Sequence, residues 1–88
     1  MRRPALLRSV RYVIDYDPTR PKWEQIAETI RDRIQAGEYP PKQLLSEVQL
    51  EAEFEVARAT VRKAVAALRD EGLIVTTVGM GSFVRGPA

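Results

Sequence analysis

Twelve residues in the middle of the chain, LEAEFEVARATV at positions 50–61, constrain its fold more than any other segment. Leu50 and Phe54 stand four apart, as on one face of a short helix. Arg58 then opens a second run, in which Val61, Ala64, Val65 and Leu68 fall at i, i+3, i+4 and i+7. Only positions 55–57 separate the two runs, which leaves room for a tight turn and nothing more. Two short helices joined in this way meet at a steep angle.

The second helix of that pair has a distinctive outer side. Arg58, Thr60, Arg62 and Lys63 lie off its apolar stripe, together with Ala59 and Ala66. Small alanines beside cationic side chains allow the backbone to come close to a groove. A helix presented by a steep partner is a common way to enter the major groove of DNA.

The flanking segments supply the rest of a fold. Trp23, Ile26, Ala27, Ile30 and Ile34 share one stripe and predict a helix over 22–36, with Glu24, Glu28, Arg31, Asp32 and Arg33 mainly outside it and Gly37 as a left-handed stop. After a turn-rich connector at 38–42, Leu44 and Leu45 lead into Ser46-Glu47-Val48-Gln49. This is a capping-box pattern: the Ser46 hydroxyl accepts from the Gln49 amide, and the Gln49 side chain reaches back to the Ser46 N–H. The third helix is expected over 58–71, ended by Gly72. Residues 73–78 are β-rich, Gly79-Met80-Gly81 is a turn, and Ser82-Phe83-Val84-Arg85 is a second strand. The fold class that follows is mainly α with a small β-hairpin: a three-helix winged helix-turn-helix over 21–88. Gly79-x-Gly81 is no phosphate loop, because β-formers rather than a helix follow it.

Residues 1–20 are expected to form a basic arm, with a short strand over 10–16 and a boundary at Asp17-Pro18 and Arg20-Pro21. Charge follows the same division. Residues 1–20 hold five arginines against two aspartates, residues 21–57 carry a net −4, and residues 58–88 carry +3. Positive ends around an acidic middle suit a polyanion-binding face with a separate solvated face. At 88 residues the chain has room for one modest core. It contains no cysteine and no histidine, which removes disulfides, thiolate metal sites and the commonest general base together. No catalytic residue, cofactor or metal site is assigned. The N-terminus lacks the apolar stretch of a signal peptide and no run is long enough to span a bilayer, so a cytoplasmic location is expected.

Several motifs together resemble one family. Gln25-Ile26-Ala27-Glu28, Gly37-Glu38-Tyr39-Pro40-Pro41, Leu44-x-Ser46-Glu47, Phe54-x-Val56-x-Arg58-x-Thr60-Val61-Arg62, Leu68 with Glu71-Gly72-Leu73-Ile74, and Gly79-x-Gly81-Ser82-Phe83-Val84 occur in order. Over positions 21–84, about three quarters of the chain, this resembles the N-terminal DNA-binding domain of the gluconate-repressor (GntR) family of bacterial transcription regulators. The resemblance implies a winged helix-turn-helix that binds a short palindromic operator in double-stranded DNA as a homodimer. It implies that Arg58, Thr60 and Arg62 touch phosphates and base edges, and that Ser46 and Glu47 lie against the DNA backbone. The wing tip, Gly79, Met80, Gly81 and Ser82, approaches the minor groove. Lys63 joins them from the reading of the helix face, beside Arg62 at bases or adjacent phosphates.

The sequence departs from the family at four of these places. Glu55 stands where the turn usually has glycine, at a cost of about 1 kcal/mol for a left-handed backbone. Ala57 replaces the usual Ser or Thr cap, forfeiting roughly 0.5–2 kcal/mol. Val48 follows the Ser-Glu pair where a basic residue is common, and Met80 takes the place of a basic residue between the wing glycines. These changes predict a weaker or differently specific reader. Family members continue into an effector-binding domain, and this sequence ends four residues after the wing, so no small-molecule effector site is expected in it. The leading expectation is a DNA-binding repressor. The alternative is a winged-helix module that binds protein through Tyr12, Tyr16, Tyr39 and Met80.

Overall fold

Helices form where apolar residues repeat at helical spacing, and a two-stranded ribbon forms where two β-rich runs flank a turn. The computed structural model describes residues 15–86. In chain order the elements are α1 (Lys22–Gln35), α2 (Glu47–Phe54), α3 (Arg58–Asp70), β1 (Ile74–Thr77) and β2 (Gly81–Val84). This is the expected three-helix winged arrangement. The basic arm lies outside the described residues as far as residue 14, and Asp15 and Tyr16, the described end of the expected strand, are not in one.

One core holds the elements together. Ile26, Ala27 and Ile30 of α1, Leu50 and Phe54 of α2, and Val61, Ala64, Val65 and Leu68 of α3 are buried together with Leu45, Ile74 and Val84. α1 packs chiefly on α3. Trp23 and Ile34 reach the edge of this cluster. Gln25 is also buried, although it is polar and was not part of the expected stripe. Its carbonyl accepts from the Asp17 amide at 2.8 Å and its amide donates to the Asp17 carbonyl at 2.9 Å, so its burial leaves no unmet hydrogen bond there. This pair fixes how the chain enters α1, whose N-cap Pro21 has no side-chain cap. Tyr16 acts similarly on α2, donating its hydroxyl to the Phe54 carbonyl at 2.8 Å.

Charged residues of α1 tie it to other elements. Arg33 pairs with Glu53, donates to the Tyr39 hydroxyl at 2.7 Å and lies 5.5 Å from the Phe54 ring centroid. Arg31 forms a two-point contact with Glu71, with its Nε 2.8 Å from one carboxylate oxygen. Of the acidic middle of the sequence, Glu53 is thus paired by Arg33, and Glu24 and Glu28 by Arg20.

The joint between α2 and α3 has the unfavourable chemistry foreseen from the sequence. Glu55 takes the left-handed backbone, φ 56° and ψ 51°. Ala57 is the N-cap of α3 and offers no side-chain acceptor. Ser46, by contrast, caps α2 by accepting from the Gln49 amide at 3.2 Å, while the return bond from the Gln49 side chain is absent among the described hydrogen bonds. Both flaws should be correctable. Ala57→Ser and Glu55→Gly are each expected to raise the unfolding free energy by up to about 1 kcal/mol. Chemical denaturation checks this, and a variant pair no more stable than the parent would contradict the turn's energetics as argued.

The ribbon is antiparallel, pairing Ile74 with Val84, Val75 with Phe83, Thr76 with Ser82 and Thr77 with Gly81. Its turn is one residue earlier than expected: the Met80 amide closes on the Thr77 carbonyl at 2.9 Å, and Gly81 already belongs to β2. A third edge, which no local pattern announces, joins the ribbon. Leu44 bridges Phe83, the Leu45 amide donates to the Ser82 carbonyl at 2.9 Å, and the Val84 amide donates to the Gln43 carbonyl at 2.9 Å. Gly81 permits this approach, since a Cβ there would stand 3.0 Å from the Leu44 side chain at a φ of 117°. The consequence is positional. Residue 45 is pinned to the wing, and α2 begins two residues later, so the start of α2 must lie beside the wing.

Candidate nucleic-acid interface

The residues singled out in the sequence come together as two groups on either flank of α3. Ser46, Glu47, Arg58, Gly79, Met80, Gly81 and Ser82 line one cleft of about 490 Å³ between the start of α2 and the wing. Arg62, one turn beyond Arg58, joins this group through Glu47, its Nε lying 3.2 Å from a carboxylate oxygen. Thr60 and Lys63 are on the other flank, in a shallow depression with Lys22, Trp23 and Ala59. Arg62 and Lys63 are therefore neighbours in sequence that face different ground.

Helical period explains the division. Arg58 and Arg62 are four apart and stack on the side facing α2, while Thr60 and Lys63 fall on the side facing α1. Between them lies Ala59, exposed and small, and the buried stripe holds the opposite face against the core. The outer surface of α3 is thus a low ridge with a cationic side chain on either side. That shape allows close approach of a flat or grooved polyanion.

The arginines are exposed but not unengaged. Arg58 donates its Nε to Glu51 at 2.6 Å and stands 3.9 Å from Glu47. The hydrogen bond to Glu51, helped by that residue's charge, pushes the Arg58 guanidinium further above its already high pKa. The Arg58 and Arg62 side chains are 48% and 65% exposed, so these ion pairs sit in high dielectric and add little to stability. Lys63 makes no ion pair among the described residues.

The wing contributes shape and apolar surface rather than charge. Val78 and Met80 at its tip and Val48 on α2 are among the most exposed large apolar side chains, and all three line the same cleft. Behind them the Thr76 and Ser82 hydroxyls meet at 2.8 Å, and Arg69 donates to Thr76 at 3.1 Å. Sequence reasoning missed Glu51, Thr76 and Thr77 as neighbours of this surface. The only signal for Glu51 was its acidity, because its partner lies across the turn and not on the same helix.

Comparison with known proteins agrees with this geometry. The family described as bacterial regulatory proteins, gntR family, matches residues 22–84. The chain belongs to that family. Among relatives, the histidine utilization repressor of Klebsiella aerogenes is 37% identical over 68 residues, covering 76% of this chain and 28% of the relative. The mannosyl-D-glycerate transport/metabolism system repressor MngR of Escherichia coli is 37% identical over 67 residues, covering 75% and 28%. The chain therefore spans little more than a quarter of the length of either. Among solved structures, the AraR DNA-binding domain in complex with operator ORX1 superposes with a TM-score of 0.75 at 35% identity. That match covers 83% of this chain and 94% of the AraR domain.

Proposed function

We propose that the chain is a sequence-specific regulator of transcription that binds double-stranded DNA and acts as a repressor. α3 enters the major groove and the wing reaches a neighbouring groove. Arg62 and Arg58 contact base edges, Thr60 fixes the register on the backbone, and Lys63 contacts phosphate on the far flank. Ser46 and Glu47 lie at the backbone where it passes between α2 and the wing, and Gly79 to Ser82 follow the groove edge. Residues 21–88 carry this binding. The arm at 1–20 adds cationic contacts, two copies of the chain occupy a two-fold site, and the protein works in the bacterial cytoplasm.

The observation that carries this reading is the convergence of the start of α2, the arginine-bearing flank of α3 and the wing tip on one exposed surface, in a fold shared with an operator-bound domain. Relatives named as repressors support the direction of control. The alternative, a module docking on protein, draws no support from them.

Selection from a random duplex pool, followed by salt titration, tests the proposal. The expected outcome is an enriched two-fold symmetric site whose affinity falls steeply as salt rises, by about 0.9 in the logarithmic slope for each phosphate contacted. A pool that yields no enriched sequence at low salt would contradict it.

A further inference from the structure

We propose that Glu47 and Glu51 are positioning residues for base readout, each holding one arginine of α3 by its Nε so that the outer fork of the guanidinium points away from the protein. The inference rests on the DNA-binding reading above and gives it a mechanism for selectivity. Its basis is a regularity in the ion pairs. Arg58 engages Glu51 through Nε at 2.6 Å, and Arg62 engages Glu47 through Nε at 3.2 Å. The Nη atoms of both arginines make no hydrogen bond among the described residues.

An arginine can meet a guanine edge side-on, using Nε and one Nη, or end-on, using both Nη atoms. With Nε already donated to a carboxylate, only the end-on fork is left. Its two parallel donors match the O6 and N7 acceptors that guanine presents in the major groove. A long side chain held in advance also loses less freedom when it binds. These pairs contribute little to folding, since both are exposed, so orientation is the effect left for them.

The electrostatics point the same way. Two arginines and two glutamates make a neutral cluster on this flank, which lowers its attraction for any phosphate and leaves the match to the base edge as its main gain. Removing either carboxylate frees a cation. Non-specific affinity should then rise while selectivity falls, the opposite of what damage to the fold would do.

The test measures wild type, Glu47→Ala, Glu47→Gln and Glu51→Ala on three duplexes. These are the site selected by the wild-type protein, the same site with individual G·C pairs exchanged, and a random sequence. Circular dichroism confirms that each variant is folded. Glu47→Ala and Glu51→Ala are expected to bind random duplex more tightly, to show a salt slope steeper by about 1, and to lose about tenfold in preference for the guanines. Glu47→Gln keeps an acceptor for the Arg62 Nε and should keep most of the preference while still gaining non-specific affinity. Unchanged preference in both alanine variants overturns the proposal, as does a parallel loss on all three duplexes or a glutamine variant no more selective than alanine. A wild-type protein that binds no duplex overturns the DNA-binding reading itself. A selective wild type with equally selective variants overturns only the positioning role.

Discussion

Phe54→Ala is expected to lower the unfolding free energy by about 3–5 kcal/mol, the range for removing a buried aromatic side chain from a core. Phe54 is 1% exposed and is one of only two buried residues on α2. α2 has eight residues, too few to persist as a helix without tertiary support. The Phe54 ring also lies beside the Arg33 guanidinium, which braces α1 against α2. A domain of this size has a total stability of about 4–13 kcal/mol, so the loss takes a large share of it. In urea, the midpoint should fall sharply, and the slope should fall too if α2 detaches before the rest. Val48→Ala on the same helix provides the contrast. Its side chain is mostly exposed, and the change should stay within about 0.5 kcal/mol. A Phe54→Ala loss below 1 kcal/mol would show that α2 is held by something other than its inward face.

What was legible in the sequence follows from how far each signal reaches. The helices announced themselves because Ile26, Ile30, Val61, Val65 and Leu68 repeat with a period set by neighbouring turns, and Gly37 and Gly72 mark where that period stops. The cost at Glu55 and Ala57 was also visible, since turn and cap chemistry are local. Contacts between distant segments were not. Leu44 and Leu45 show neither period, and their partners Phe83 and Ser82 lie almost forty residues downstream, so nothing nearby marked them as a sheet edge. That edge is what sets the wing beside α2 and creates the cleft. Gln25 looks like a surface residue until Asp17 is seen folded back against it. The pairing of Glu51 with Arg58, seven residues apart, crosses the turn and escapes the rule that links residues four apart along a helix. The separation of Lys63 from Arg62 could have been read from the period alone. Adjacent residues on a helix point about 100° apart, and the placement of α1 and α2 decides which flank meets which neighbour.

Arg62→Ala should then weaken binding to the selected site by about 1–3 kcal/mol, roughly 5- to 150-fold in Kd. Arg62 is mostly exposed and its ion pair with Glu47 adds little to folding, so the unfolding free energy should move by less than about 0.5 kcal/mol. This separation of binding from stability marks a contact residue. Arg62→Lys divides the effect further. Lysine keeps the charge but lacks the planar fork, so it should restore most of the salt dependence and little of the base preference. Lys63→Ala serves as the counterpart on the opposite flank. If it meets phosphate, affinity should drop about equally for selected and random duplexes, and the salt slope should shrink by about 1. Arg62→Ala with an unaltered Kd for the selected site would remove Arg62 from the interface and shift base readout to Arg58. An Arg62→Lys protein as selective as the parent would mean that charge alone, without the guanidinium's geometry, is what the site requires.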